Sequence, residues 1–258
     1  MNARFMPRGI RPAGAEFPKA AVVNRPRPLI SDSMRSLRVV SAIFAKDLRV
    51  EWRHRETLAS MCVFGLLVVF LFNFSFEPAR EETLRLLPGI LWVTFGFSGI
   101  LGFNRSFAAE RENGCIEALC VAPVDPGLIY LGKVLANLLF VIIAEFVIVG
   151  AVSLWYNFSF FPSMKWLAII CFLGTLGYVA VGTIFAAVAS NTRMREVMLP
   201  VLQFPVAIPV FIGGIEATTG ALRGEAVAEY ASWIRLLAGF SIVFLVLSFL
   251  LFEYVLEE

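Results

Sequence analysis

Glu145 is the one charged residue in an apolar run covering residues 134–156. An ionised carboxylate near the centre of a bilayer costs about 3 kcal/mol or more. The side chain is therefore expected to be protonated or paired. Two readings stay open: a polar contact in a pathway or at a subunit seam, or a neutral Glu hydrogen-bonded between helices. The other chemistry-bearing residues are sparse. His54 is the single histidine and lies outside the apolar runs, so no Ser/His/Asp set can assemble in the membrane, and it reads as an ordinary basic surface residue. Cys62, Cys115, Cys120 and Cys171 include no C-x-x-C pair, which indicates neither a zinc site nor covalent haem attachment. No G-x-x-x-x-G-K-[ST] phosphate cradle occurs. The chain is expected to be non-catalytic, with energy supplied by a partner or by an ion gradient.

A second concentration of polar residues lies at 105–133, RSFAAERENGCIEALCVAPVDPGLIYLGK. Glu110, Arg111 and Glu112 precede Asn113-Gly114, and Ile116, Ala118 and Leu119 offer a small apolar face around Glu117. This spacing predicts a short helix that Pro123 and Pro126 end. Tyr130 and Lys133 are expected at the water–lipid border of the following span, where aromatic and long basic side chains anchor helices. A plain connector between spans is the simpler reading, but the length and internal periodicity exceed what a turn needs. Such a segment can dock on a soluble protein through its apolar face.

The elements that position these residues follow from composition. The chain has 258 residues, 59% hydrophobic and 16% charged, with mean hydropathy +0.78. A soluble domain carries about 25% charged residues, so the whole chain leans toward lipid. The net charge of +2 is too small for bulk nucleic-acid binding. Residues 1–33 hold six basic residues and five prolines and read as a disordered basic extension, with Met34 an alternative first residue. Residues 34–57 read as an interfacial amphipathic helix, because Leu37, Val40, Phe44, Leu48 and Trp52 recur at helical spacing. A permease domain over 58–258 then offers six spans, at 58–76, 86–104, 134–156, 166–191, 197–215 and 236–252, each near the ~20 residues a spanning helix needs. The predicted fold is an all-α, six-span membrane protein.

Orientation rests on Lys and Arg. With both termini inside, 17 of the 22 lie inside and five outside (Arg80, Arg85, Lys165, Arg223, Arg235). The first 57 residues carry that bias; without them five remain on each side. Gly96, Gly99 and Gly102, and Gly182, Ala186 and Ser190, form small-residue stripes that suit either a homodimer seam or packing within the chain. Pro200, Pro205 and Pro209 with Gly213-Gly214 predict a bent fifth span. Residues 216–235 are then expected to form a partly re-entrant outer element, with Tyr230 and Trp233 at the outer interface.

The string AERENGCIEALCVAPVDPGLIYLGK, with LPGILWV before it and MLPVLQFPVAIPVFIGG after it, resembles the haem exporter B (CcmB) family from about Met34 onward. The resemblance implies a multi-pass permease subunit of an ABC-type complex in the bacterial inner membrane, acting in c-type cytochrome maturation. It implies that the cytoplasmic loop couples to an ATP-binding subunit, by position through Glu110, Arg111, Gly114, Glu117, Leu119 and Pro123. Further implied partners are a polytopic haem-handling subunit and a periplasmic haem chaperone, with a homodimer inside the complex. No cofactor is expected on this chain: ATP sits on the partner and haem is handled by the complex. Met61, Met198, Cys62, Cys171 and Tyr178 are weak axial-ligand candidates, so mechanical coupling is favoured over direct ligation. The alternatives are a generic ABC-2-type exporter of lipid, polysaccharide or drug, and an ion-coupled secondary transporter using Glu145.

Overall fold

The computed structural model describes residues 33–75, 80–107, 124–190, 192 and 194–257. The N-terminal arm and the middle of the polar loop, 108–123, lie outside them. The described residues form seven α-helices and one short 3-10 turn. They are α1 (Ser33–His54), α2 (Glu56–Ser75), α3 (Arg80–Ser106), α4 (Pro126–Trp155), α5 (Met164–Ser190), α6 (Arg195–Arg223) and α7 (Val227–Glu257), with the 3-10 turn at Phe161–Ser163 before α5. All but α1 are long and apolar enough to cross a membrane. Six crossings in alternation put α1, both stems of the polar loop, the α5–α6 turn and the C-terminus on one face of the bundle.

Helix α1 turns its Val40, Ile43, Phe44, Asp47, Leu48 and Glu51 side toward the bundle, and leaves Leu37 and Trp52 exposed. The amphipathic pattern is therefore rotated slightly from the one read in the sequence. The elbow into α2 is a single residue, Arg55, at φ 55°. Its N–H donates to the Glu51 carbonyl at 2.6 Å. The Glu51 carboxylate accepts from the Leu58 N–H at 2.8 Å, satisfying one of the free donors at the start of α2.

Helices α3, α4 and α5 are buried along more than half of their apolar length, while α2 and α7 are the most exposed. Helix α2 packs on α3 and α4; α5, α6 and α7 pack on one another; α3 against α6 joins the two groups. Small residues let these helices approach closely. A Cβ on Gly96 would meet Phe211 at 2.7 Å, one on Gly99 would meet Tyr178 at 2.6 Å, and one on Gly102 would meet Met61 at 2.7 Å. Gly182 lies against Phe103 and Gln203. Both small-residue stripes are thus occupied by this chain's own side chains.

Helix α6 departs most from expectation. It runs unbroken through its three prolines and past Gly213-Gly214 to Arg223, where Gly224 at φ 71° caps it. Only two further residues precede α7. Residues 216–235 are therefore the ends of two long helices, and no re-entrant element forms. The cause is packing. Gly214 and Gly174 receive the two sides of the Trp92 indole, and Thr218 accepts from its Nε1 at 3.1 Å. Tyr230 is likewise buried, edge-on to Trp166 and close to Gly220, so its ring packs within the bundle near the start of α7.

Candidate functional site

The two stems of the polar loop are the last turn of α3 and the first turns of α4. The descending stem ends at Arg105, Ser106 and Phe107. Arg105 pairs with Glu56 at 2.7 Å in the open, which ties the end of α3 to the start of α2. Phe107 turns inward and is buried against Phe252 of α7. The ascending stem starts at Asp125, whose Oδ1 accepts from the Gly127 N–H at 2.8 Å. Pro126 occupies the first helical position, where a missing N–H is harmless. This proline starts a helix as well as ending the loop, and so α4 begins a full two turns before the apolar run at 134.

Lys133 holds the stems together. It was expected at the lipid border; it is instead 1% exposed. Its Nζ meets Asp47 Oδ2 of α1 at 2.9 Å and donates to the Ser106 carbonyl at 3.0 Å. It also lies 5.1 Å from the centre of the Phe107 ring. An ammonium offers three donors, and burial is tolerable because they find partners. Next to it, a Cβ on Gly132 would meet Ile43 of α1 at 2.8 Å. Tyr130 is also buried, with its hydroxyl donating to the Ala180 carbonyl at 3.0 Å and its ring against Phe252. One basic side chain thus fastens α1, the end of α3 and the start of α4 at the base of the loop.

Asp47 and Glu51 stand one turn apart on the inward side of α1. Acids at that spacing among apolar positions are the sequence signal for this site. The apolar periodicity of α1 by itself does not reveal them. The partner-coupling residues Glu110, Arg111, Gly114, Glu117, Leu119 and Pro123, and with them Cys115 and Cys120, lie outside the described residues. The structure brings together the ends of their loop.

Glu145 lies deeper and apart from this base. It is buried on α4 and accepts a hydrogen bond from the Thr175 hydroxyl of α5. Further polar side chains bridge helices elsewhere in the bundle. Asn137 Nδ2 donates to Thr183 Oγ1 at 3.0 Å. The Tyr178 hydroxyl donates to the Gly96 carbonyl at 2.6 Å, and Gln203 Nε2 donates to the Tyr178 carbonyl at 3.4 Å. Glu145 therefore serves as an interhelical acceptor between α4 and α5. Among the described residues no three His, Cys, Asp or Glu side chains converge. Of the candidate haem ligands, Met61 is buried against Gly102 and the Tyr178 hydroxyl is already used; Met198 is partly exposed on α6.

The described residues thus have an ion-paired junction at the loop base and an interior bridged by hydrogen bonds between helices. The family model described as CcmB protein matches residues 38–257, which takes in most of α1, the loop and every span. The chain belongs to the CcmB family. Heme exporter protein B of Rhodobacter capsulatus is 29% identical over 188 residues, 72% of this chain and 85% of that protein. Its counterpart in Paracoccus denitrificans is 29% identical over 209 residues, 81% and 94% of the two chains. The Escherichia coli K12 protein of the same name is 35% identical over 95 residues, 37% and 43%. The CcmB match begins inside α1, so the helix that carries Asp47 and Glu51 belongs to the shared architecture.

Proposed function

We propose that this CcmB-family chain is the permease subunit of an ABC-type haem exporter complex serving c-type cytochrome biogenesis. The observation that carries the reading is the match of a CcmB family model across 38–257, with relatives named heme exporter protein B. A partner ATP-binding subunit grips the 105–133 loop on the cytoplasmic side, through Glu110, Arg111, Gly114, Glu117, Leu119 and Pro123. Nucleotide binding there shifts the loop stems. The motion passes through the Lys133 junction to α1, α3 and α4, and releases a haem-loaded chaperone from a polytopic haem-handling subunit. This chain ligates no haem and hydrolyses no ATP. Two copies are placed in the complex, in the inner membrane with both termini cytoplasmic.

The contacts at the loop base support this reading, since a force on either stem is shared by three helices. The decisive experiment purifies the complex from membranes and compares its ATPase rate with and without Glu117→Lys, alongside c-type cytochrome levels in cells. The expected result is intact span assembly with lost or uncoupled ATPase stimulation and loss of c-type cytochromes. Normal hydrolysis and normal cytochromes would remove the loop from the mechanism. Stoichiometric haem bound through an axial ligand in a span of the purified chain would overturn the mechanical reading.

A further inference from the structure

Helix α1 sorts its charges by face. Its two acids point at the bundle, where Asp47 meets Lys133 and Glu51 accepts from the Leu58 N–H. Just past the elbow, Glu56 is taken by Arg105. Arg38, Arg49 and Arg53 are exposed and form no ion pair among the described residues. At about 100° per residue these three fall within roughly 60° of one another, as one stripe along the helix. The flank beside the stripe is apolar and consists of Leu37, Phe44, Leu48 and Trp52. Leu37 and Trp52 are 68% and 75% exposed, and the Arg55 guanidinium lies 5.7 Å from the centre of the Trp52 ring.

The contacts of α1 place this stripe at the membrane border. Glu56, Arg105 and Lys133 mark the ends of the apolar runs of α2, α3 and α4. Helix α1 meets that level repeatedly: Ile43 packs on Gly132, Asp47 pairs with Lys133, Glu51 bonds Leu58, and Arg55 leads into α2. From Ile43 to Arg55 is about 18 Å of helix. A helix that keeps to one level of several spans over that distance runs across the end of the bundle. Its apolar flank then meets the edge of the hydrocarbon and its arginine stripe meets the headgroups. We infer that this stripe is a binding surface for anionic phospholipid headgroups. Arg49 and Arg53, one turn apart, converge on one headgroup, and Arg38 takes another about 17 Å along the helix. The guanidinium fork matches phosphate oxygens in pairs, and Trp52 seats beside them at the interface. A zwitterionic lipid offers the same phosphate but carries its own cation, so the surface favours lipids of net negative charge. Residues 1–33 continue the sign, with six basic side chains against two acidic. The inference rests on the membrane-spanning fold and does not depend on what the complex moves.

The test titrates phosphatidylglycerol or phosphatidylcholine into the detergent-purified full chain and counts bound lipids by native mass spectrometry. The wild type should retain phosphatidylglycerol in clear preference. Arg49→Gln with Arg53→Gln should cut that preference roughly twenty-five-fold, and Arg38→Gln roughly five-fold, the worth of one basic group at an anionic surface. Lys165→Gln, on the opposite face of the bundle, should leave it unchanged. Arg49→Lys with Arg53→Lys keeps the charge and should keep most of the preference, which separates lost binding from lost folding. In nanodiscs, phenylglyoxal should modify the three arginines when the lipid is phosphatidylcholine and much less when phosphatidylglycerol is present. Protection in both lipids would mean that a protein segment covers the stripe, such as the loop acids Glu110, Glu112 and Glu117, and would overturn the inference. So would equal retention of the two lipids by the wild type, or a preference that survives in the glutamine pair. Displacement of phosphatidylglycerol by inorganic phosphate would also overturn it, by marking a site for soluble anions. Loss of ATPase coupling with the lipid preference intact would count against the proposed function only.

Discussion

The base of the bundle and its middle solve the same problem with different chemistry. At the base, Lys133 and Asp47 form a buried ion pair that joins α4 to α1, and the ammonium also meets a backbone carbonyl and an aromatic ring. In the middle, α4 and α5 are joined by single side-chain hydrogen bonds: Thr175 to Glu145, and Asn137 to Thr183. A full charge pair can be desolvated near the helix ends, where α1 and the loop stems supply partners on all sides. Deep in the span the partners are single hydroxyls and amides, so each helix pair is held by modest bonds together with close packing at glycine. The base is therefore strong and brittle, while the middle is made of many replaceable contacts.

That contrast can be broken most sharply at Lys133. Replacing it with Met leaves the mostly buried Asp47 with only the half-exposed Lys46 at 3.2 Å, and should cost about 3 kcal/mol. A large drop in the detergent unfolding temperature and in membrane accumulation is the expected readout. The pair Lys133→Met with Asp47→Asn should recover much of the loss, whereas equal damage in both would show that packing rather than charge holds the base. The next largest effect is expected at Gly99→Ala, whose new Cβ would sit 2.6 Å from the Tyr178 ring. Overpacking there should cost about 1–3 kcal/mol, read as lower thermal stability with the Tyr178 bond to Gly96 weakened. Gly150→Ala, with open space around it, is the control that should be neutral or stabilising by up to about 1 kcal/mol.

Glu145→Gln probes the middle. An amide oxygen can still accept from Thr175, so the loss should be at most about 1 kcal/mol, with normal accumulation and near-normal transport. Abolished function with normal assembly would make Glu145 part of a pathway and would sink its role as a structural acceptor. The smallest effect is expected for Arg105→Ala. Its pair with Glu56 is exposed on both sides, 46% and 68%, and exposed pairs contribute about 0–1 kcal/mol. A measured loss as large as that at Lys133 would show that the outer tie of the loop stem matters as much as the buried one.

The six crossings could be read directly, because runs of apolar residues near membrane length leave the backbone one arrangement that satisfies its own hydrogen bonds. The position of Glu145 inside such a run already implied a bonded, buried carboxylate, and Thr175 on the next span supplies the donor. The base of the loop was harder. Lys133 looks like an interfacial anchor when seen only beside Tyr130 and Pro126, since its partner Asp47 lies on a helix remote in sequence. The proline and glycine residues of α6 misled for a related reason. They weaken a helix locally, but Trp92 packed between Gly214 and Gly174, and bonded to Thr218, keeps this one continuous.

Sequence alone determined that the chain is a six-span α-helical membrane protein with an amphipathic helix in front and a charged loop between its second and third spans. Those properties depend on composition and periodicity, which act locally and on every residue of a segment. Tertiary structure decided which small residues face which rings, that Lys133 is buried rather than anchored at the border, and that α6 runs through its prolines. Each of these depends on a side chain contributed by another helix. A contact between helices distant in the chain leaves little trace in the local pattern of either one.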